Sequence, residues 1–414
     1  MNLLKANSVS FLFIFFSIKL VAQTYTEYLQ QGKIHLSNLN YPSAYERFSL
    51  AYELAKTDIE RKDAETFKNA SFKFLQKQYK EMEQNLRSKD TIIKKLNHTM
   101  AKIFFYENRF CVAFQNGKFG FIDRNGNTVL PYIYDEAQPF DIFSGFAIVN
   151  RNNTRYLIDT TGTEYLLSEN PAAVNLETLA LDLRNKDLVA IPSQVFACVN
   201  LKILLLGNNN IESVPDQIIK LQNLNKLDLS NNKISKLPED FGKLNKMKSL
   251  SLYGNQIGKL PESFSQLKML QELNLENNNL FILPAGIGEL NNLIYLNLSD
   301  NKLTKIPDEM GKLDKLLTFS VRRNNIEKLP ESIGNLDNIE NLYLDENNII
   351  DLPISFSNLR SLKILDISRN KIGNIPYELK KMEWLKEFNL RGNNIPEDKK
   401  GMIKSWFPNC NIQI

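Results

Sequence analysis

Residues 224–238 read LNKLDLSNNKISKLP. In this stretch Leu227 and Leu229 alternate with Lys226, Asp228 and Ser230, which is the period of a β-strand with one buried face. We therefore expect a short strand that points both leucines into a core and the polar residues outward.

The spacing of this stretch recurs along the rest of the chain. A proline returns every 23 residues, at Pro192, Pro215, Pro238, Pro261, Pro284, Pro307, Pro330, Pro353 and Pro376. An asparagine keeps the same step, at Asn209, Asn232, Asn255, Asn278, Asn301, Asn324, Asn347, Asn370 and Asn393. A fixed period of this length indicates a solenoid of stacked units. A buried asparagine amide must be hydrogen-bonded, so we expect its partners to be the backbones of neighbouring coils.

The unit L-x-x-L-x-L-x-x-N-x-L followed by Leu-Pro resembles the 23-residue class of the leucine-rich repeat family. The resemblance implies an α/β solenoid over residues 169–395, a horseshoe with a parallel β-sheet on its concave face. Ten strand segments are expected when the first unit, in which Lys186 replaces the asparagine, is included. At a strand spacing of about 4.8 Å, the sheet would be about 45 Å long. We expect residues 396–414 to form the cap that closes the core.

Two further segments precede the repeats. Residues 23–106 are predicted to be helical, with Gly32, Ala44 and Ala51 at the spacing of a tetratricopeptide repeat and a long charged helix after them. Residues 107–168 resemble the WG-type β repeat, with Phe119 at the position of the family's tryptophan. This resemblance implies a small antiparallel β segment before the solenoid, and the Asn-Gly pair at Asn116 favours a tight hairpin.

The first 22 residues have the pattern of a secretory signal peptide, with Lys5, an apolar stretch and Ala22 at a plausible cleavage site. We therefore expect an exported bacterial protein, in the periplasm, at the cell surface or secreted; a cytoplasmic protein is the alternative. The formal net charge of +4 falls to +2 without Lys5 and Lys19, which does not favour nucleic acid as a partner. No stretch predicts a membrane span in the mature chain.

No pattern in the sequence predicts an enzyme. The sequence contains no HExxH, GxSxG or paired CxxC pattern, and neither histidine has cysteine, histidine or acidic residues at ligand spacing beside it. We therefore expect no catalytic residues, no metal site and no cofactor. Cys198 stands at a core position of the repeat and is expected to act as a core residue.

The candidate site consists of outward residues on the predicted sheet. Tyrosine and arginine are enriched in binding hot spots, which favours a protein or peptide partner on the concave face. The candidate residues are Tyr253, Glu276, Tyr295, Arg322, Arg323, Tyr343, Asp345, Arg369 and Arg391. Three alternatives remain open: glycan or cell-wall polymer binding, an intracellular signalling scaffold if the leader is not cleaved, and a merely solvated face in which Arg322 pairs with Asp345 across strands.

Overall fold

The computed structural model describes residues 29–33, 47, 51, 66–71, 73, 77, 110–123, 125–140 and 145–414. The chain divides into two compact units between Tyr165 and Leu166. The predicted signal peptide lies outside the described residues, and so does most of the predicted helical segment. Residues 29–33 and 66–71 are helical, and the likeness to a tetratricopeptide repeat stays a prediction.

The first unit contains short antiparallel strands. They are β1 (Cys111–Gln115), β2 (Lys118–Ile122), β3 (Thr128–Tyr134), β4 (Glu136–Ala137), β5 (Ala147–Arg151) and β6 (Thr154–Ile158). β1, β2 and β3 pair in that order, while β5 pairs with β4 and with β6. Asn116 and Gly117 join β1 to β2 with φ angles of 52° and 79°, the positive values that a two-residue hairpin needs. The predicted hairpin is confirmed.

The second unit is built on a parallel sheet. Its strands are β7 (Glu164–Ser168), β8 (Ala180–Asp182), β9 (Ile203–Leu205), β10 (Lys226–Asp228), β11 (Ser249–Ser251), β12 (Glu272–Asn274), β13 (Tyr295–Asn297), β14 (Thr318–Ser320), β15 (Asn341–Tyr343), β16 (Ile364–Asp366), β17 (Glu387–Asn389) and β18 (Asn411–Gln413). From β8 to β17 each residue lies beside the one 23 positions later, as Leu227 lies beside Leu250. Leu227 and Leu229 are fully buried. The expected solenoid with a parallel sheet is therefore confirmed.

The recurring asparagine lies inside the stack. In Asn232 the side-chain Oδ1 accepts from Ile211 N at 2.9 Å, and Nδ2 donates to Leu206 O and Leu229 O at 3.0 Å each. Asn255, Asn278 and the later members repeat this pattern one coil further along. Each amide thus joins its own coil to the preceding one, as the sequence predicts, and fixes the spacing of the coils.

On the side away from the sheet, each coil returns through a 3₁₀ helix. These are Ser193–Ala197, Asp216–Lys220, Phe241–Lys243, Glu262–Gln266, Ala285–Glu289, Asp308–Lys312, Glu331–Asn335, Ile354–Asn358 and Tyr377–Lys381, with Pro171–Ala173 before the first strand of the repeats. A recurring proline caps most of them, because its fixed φ and missing N–H suit a helix start. Neighbouring 3₁₀ helices pack closely: a Cβ on Gly242 would lie 1.8 Å from Ser263 O.

The last coil is covered by the helix Glu397–Trp406 and by β18. Ile403 and Phe407 are buried against the core, and the Phe407 ring lies 5.3 Å from that of Phe388, edge to face. Met402, on the same helix, remains exposed. Cys198 is buried in the core, as expected.

Candidate functional site

The outward residues of the parallel sheet form rows that run across the strands, and we call this surface the sheet face. It comprises the first and third residues of each strand from β10 to β17 and the second and third residues after the strand. The in-register pairing places equivalent residues of adjacent coils side by side. The two preceding strands differ, because Ala180, Ile203 and Leu205 occupy outward positions and are buried. The polar sheet face therefore begins at β10.

The three predicted tyrosines lie on the sheet face but not in one row. Tyr295 begins β13, Tyr343 ends β15, and Tyr253 follows β11 by two residues. All three are partly buried. Burial raises the pKa of Tyr295 and of Tyr343, so both hydroxyls stay protonated at neutral pH. Tyr295 and Tyr343 present partly exposed aromatic rings beside charged groups, and cation–π contacts form in such an arrangement.

Arg322 and Asp345 pair across adjacent coils. Arg322 Nε lies 2.8 Å from Asp345 Oδ1, and the guanidinium carbon lies 5.7 Å from the centre of the Tyr343 ring. The Asp345 side chain is only 4% exposed. Burial raises the pKa of this carboxyl, and the positive charge of Arg322 opposes that shift. The guanidinium of Arg322 therefore neutralises a buried carboxylate of its own chain.

Arg323 and Arg369 are paired in the same way. Arg323 Nε and one terminal nitrogen lie 2.5 and 2.7 Å from the two carboxylate oxygens of Asp300, and Arg369 lies 2.9 Å from Glu346. The backbones of Arg323, Glu346 and Arg369 have φ angles of 46°, 56° and 52°. In the coils nearer the start, asparagine, aspartate or glycine holds this left-handed position, as at Asn231. The three larger residues therefore carry backbone strain that those coils avoid.

Glu276 forms no ion pair among the described residues, although the positive charges of Arg323 and Arg322 lie near enough to oppose the rise of its pKa. Asn297 Nδ2 donates to its Oε2 at 2.7 Å, and no ion pair involves it. Burial first, and the neighbouring charge of Asp300 second, raise the pKa of the Glu276 carboxyl. Glu276 is thus a partly desolvated carboxylate that a cation would stabilise.

Arg391 differs from the other three arginines. Its side chain is exposed and has no ion pair or hydrogen bond within the described part of the chain. Its backbone N–H donates to Asn389 Oδ1 at 3.3 Å.

The structure brings several of the predicted residues together. Arg322, Arg323, Tyr343 and Asp345 lie on adjacent coils, and Glu276 lies near Asp300 and Arg323. Arg369 and Arg391 follow along the same rows. Sequence reasoning missed Glu272, which opens β12 and accepts from Ser249 Oγ at 2.9 Å. It also missed Asn297, the hydrogen-bond donor to Glu276. The 23-residue register places both residues on the outward face, but only their contacts with neighbouring coils mark them as part of the site.

The described residues hold no group of three or more histidine, cysteine or acidic side chains that could bind a metal ion. None of the helices described is both long enough and apolar enough to cross a lipid bilayer.

Family comparisons agree with the repeat pattern. A model of a leucine-rich repeat region matches residues 176–279 and 283–407, and a leucine-rich repeat model matches residues 269–290. A model of the WG containing repeat matches residues 119–154, within the segment assigned to it from the sequence. None of these families is an enzyme family. A search of curated proteins finds no match.

Solved structures resemble the repeat part of the chain. A leucine-rich repeat protein of Leptospira interrogans is 28% identical over 57% of this chain and 72% of its own, with a TM-score of 0.50. The plant peptide hormone receptor RGFR1, in complex with RGF2, is 28% identical over 57% of this chain and 40% of its own, with a TM-score of 0.51. The ectodomain of GASSHO1/SCHENGEN3 from Arabidopsis thaliana was solved in complex with CASPARIAN STRIP INTEGRITY FACTOR 2. It is 28% identical over 57% of this chain and 29% of its own, with a TM-score of 0.50. The chain thus spans less than half the length of each plant receptor chain.

Proposed function

The chain belongs to the leucine-rich repeat family, and from that premise we propose that it is a non-enzymatic protein-binding module whose protein or peptide partner lies along the sheet face. One observation carries the proposal: from β10 onward most of the outward residues are polar or aromatic, while the residues between them are buried leucine, isoleucine, valine and phenylalanine. The buried residues maintain the solenoid, so the outward residues can differ from coil to coil without loss of the fold.

The resemblance to two plant receptors supports a peptide as the kind of partner. Both receptors were solved in complex with a second molecule, and RGFR1 is a peptide hormone receptor. A parallel sheet with partly exposed tyrosines offers an extended peptide large contact areas at low conformational cost.

Partner capture before and after removal of the three tyrosine rings tests this proposal. The immobilised protein is incubated with an extract of the source cells, and captured proteins are identified by mass spectrometry. We expect Tyr253→Ala, Tyr295→Ala and Tyr343→Ala combined to lose the specific partner. The matched control removes side chains from the opposite side, with Lys220→Ala, Lys243→Ala and Lys312→Ala. Equal capture by the tyrosine variant and the natural protein would exclude the sheet face.

We also propose that the protein is exported, because residues 1–22 have the charge and apolar pattern of a signal peptide. N-terminal sequencing of the protein purified from its own cells should give a chain that begins at Gln23. A mature chain that still begins at Met1 would favour the intracellular scaffold instead.

A further inference from the structure

The sheet face carries more acidic than basic side chains. Eight carboxylates occupy it: Asp228, Glu272, Glu276, Asp300, Asp345, Glu346, Asp366 and Glu387. Five cationic residues share the same positions: Lys226, Arg322, Arg323, Arg369 and Arg391. The excess is negative although the whole chain has a formal charge of +4. Charge of the opposite sign is therefore concentrated elsewhere on the molecule.

Ion pairs within the chain neutralise most of the positive charge on the sheet face. Arg322, Arg323 and Arg369 each contact a carboxylate on an adjacent coil, at 2.5 to 2.9 Å. A partner's carboxylate would have to break one of these contacts and leave the original acid uncompensated. For Asp345, whose side chain is 4% exposed, that loss would be large. Lys226 is buried, so Arg391 is the only exposed cation without an acidic partner on the described sheet face.

The remaining carboxylates form no ion pair within the described part of the chain. Asp228 accepts from Ser230, Glu272 from Ser249 and Glu276 from Asn297. Asp366 accepts from Ser368 and Asn389. Glu387 has no side-chain hydrogen bond or ion pair within the described residues. These five acids lie in two groups, Asp228, Glu272 and Glu276 in the coils of β10 and β12, and Asp366 and Glu387 in those of β16 and β17, so unpaired negative charge lies toward both ends of the sheet face.

Aromatic rings lie beside this negative charge. Tyr253 holds the position in its coil that Glu276 holds in the next, and Tyr295 pairs in register with Glu272. A lysine or arginine side chain of a partner could contact a carboxylate and an adjacent ring together, which strengthens both interactions.

We propose that the partner of the sheet face is an extended peptide segment rich in lysine and arginine, which the five uncompensated carboxylates bind and the tyrosines flank. This inference rests on the proposed function, because it names the chemistry of the partner for the same face. Charge complementarity decides between a basic and an acidic occupant. The paired arginines then maintain the surface and do not contact the partner.

Synthetic peptides test the charge of the partner. Three fluorescein-labelled peptides, with alternating lysine and serine, glutamate and serine, or glutamine and serine, are titrated with the full-length chain. We expect the basic peptide to bind at least tenfold more tightly than the other two, with an affinity that falls as salt is added. Glu272→Gln combined with Glu276→Gln should weaken its binding at least fivefold. The matched control, Glu239→Gln with Glu262→Gln on the opposite side, should leave its binding unchanged, because both residues are exposed there.

Each other outcome overturns the inference, and two of them separate it from the proposed function. If the acidic or the neutral peptide bound as tightly as the basic peptide or more tightly, a basic partner would be refuted. If the combined tyrosine variant abolished that binding, the sheet face would still be the binding site. Binding of the basic peptide that is sensitive to Glu239→Gln with Glu262→Gln alone would move the site to the other side and refute both proposals. No binding of any peptide would refute the basic segment, while partner capture would still decide the role of the face. Circular dichroism of each variant verifies that the fold is retained.

Discussion

Asn278→Ala is the most direct test of how the coils are held together. The side chain of Asn278 accepts from Ile257 N at 3.0 Å and donates to Leu252 O at 2.9 Å and Leu275 O at 3.1 Å. Alanine would leave these three backbone groups without their side-chain partner in a region closed to water. Each buried group left unsatisfied costs about 1–3 kcal/mol, so we expect a loss of unfolding free energy on the order of 4 kcal/mol.

The neighbouring asparagine provides the control for this substitution. Asn279 has the same side chain, but among the described residues only its backbone is bonded, to Ile257 O at 3.0 Å. Asn279→Ala should therefore change the stability by less than about 0.5 kcal/mol. Urea unfolding followed by circular dichroism measures both variants, and hydrogen exchange of residues 250–300 shows where the Asn278 variant opens. A loss below about 1 kcal/mol for Asn278→Ala would refute the argument that the asparagines hold adjacent coils together.

Three further substitutions test other parts of the structure. Gly242→Ala should destabilise the protein by about 1–3 kcal/mol in thermal or urea unfolding, because its Cβ would lie 1.8 Å from Ser263 O; Gly373→Ala, with nothing within 4 Å of its Cβ, is the control and should not destabilise it. Glu276→Gln should raise the melting temperature at pH 7, because the raised pKa shows that the native fold disfavours the ionised carboxyl. This gain in melting temperature should vanish below the ordinary glutamate pKa of about 4.3, where Glu276 is neutral in both folded and unfolded chains. A gain that persisted at low pH would contradict this explanation. Arg323→Asn should change the free energy of unfolding by less than about 1 kcal/mol. Asparagine tolerates the left-handed backbone, and this relief of strain offsets the loss of an exposed ion pair. It should also strengthen binding of the lysine–serine peptide, since it exposes Asp300; weaker binding would mean that Arg323 contacts the partner.

The sequence was sufficient to predict the solenoid, and the reason lies in the asparagines and leucines. Asn232 and its equivalents can be buried only if the neighbouring coils supply hydrogen bonds, so their period predicts the stacking itself. The alternation of Leu227 and Leu229 likewise predicts which residues of the strand point inward. Such constraints recur in every coil and can be read from a single chain.

The candidate site was less predictable, because its chemistry depends on contacts between coils. The sequence places Arg322, Arg323 and Arg369 on the outward face, but it does not show which carboxylates Arg323 and Arg369 contact. Pairing of Arg322 with Asp345 was among the alternatives that the sequence left open, and the distance of 2.8 Å shows that this pair forms. The desolvation of Glu276 could not be read from the sequence either, since it depends on the packing of the neighbouring coils.

The fold and the charge of the sheet face depend on the same period. All three arginine pairs join residues 23 positions apart, Arg322 to Asp345, Asp300 to Arg323 and Glu346 to Arg369. The asparagines set this step by joining each coil to the preceding one, so Arg322, Arg323 and Arg369 each lie within reach of a carboxylate on an adjacent coil. An acid whose neighbours one period away are neutral, as Glu276 has Tyr253 and Ser299, lacks such a partner. The repeat register therefore decides which carboxylates are compensated within the chain and which remain to attract a cation from outside it.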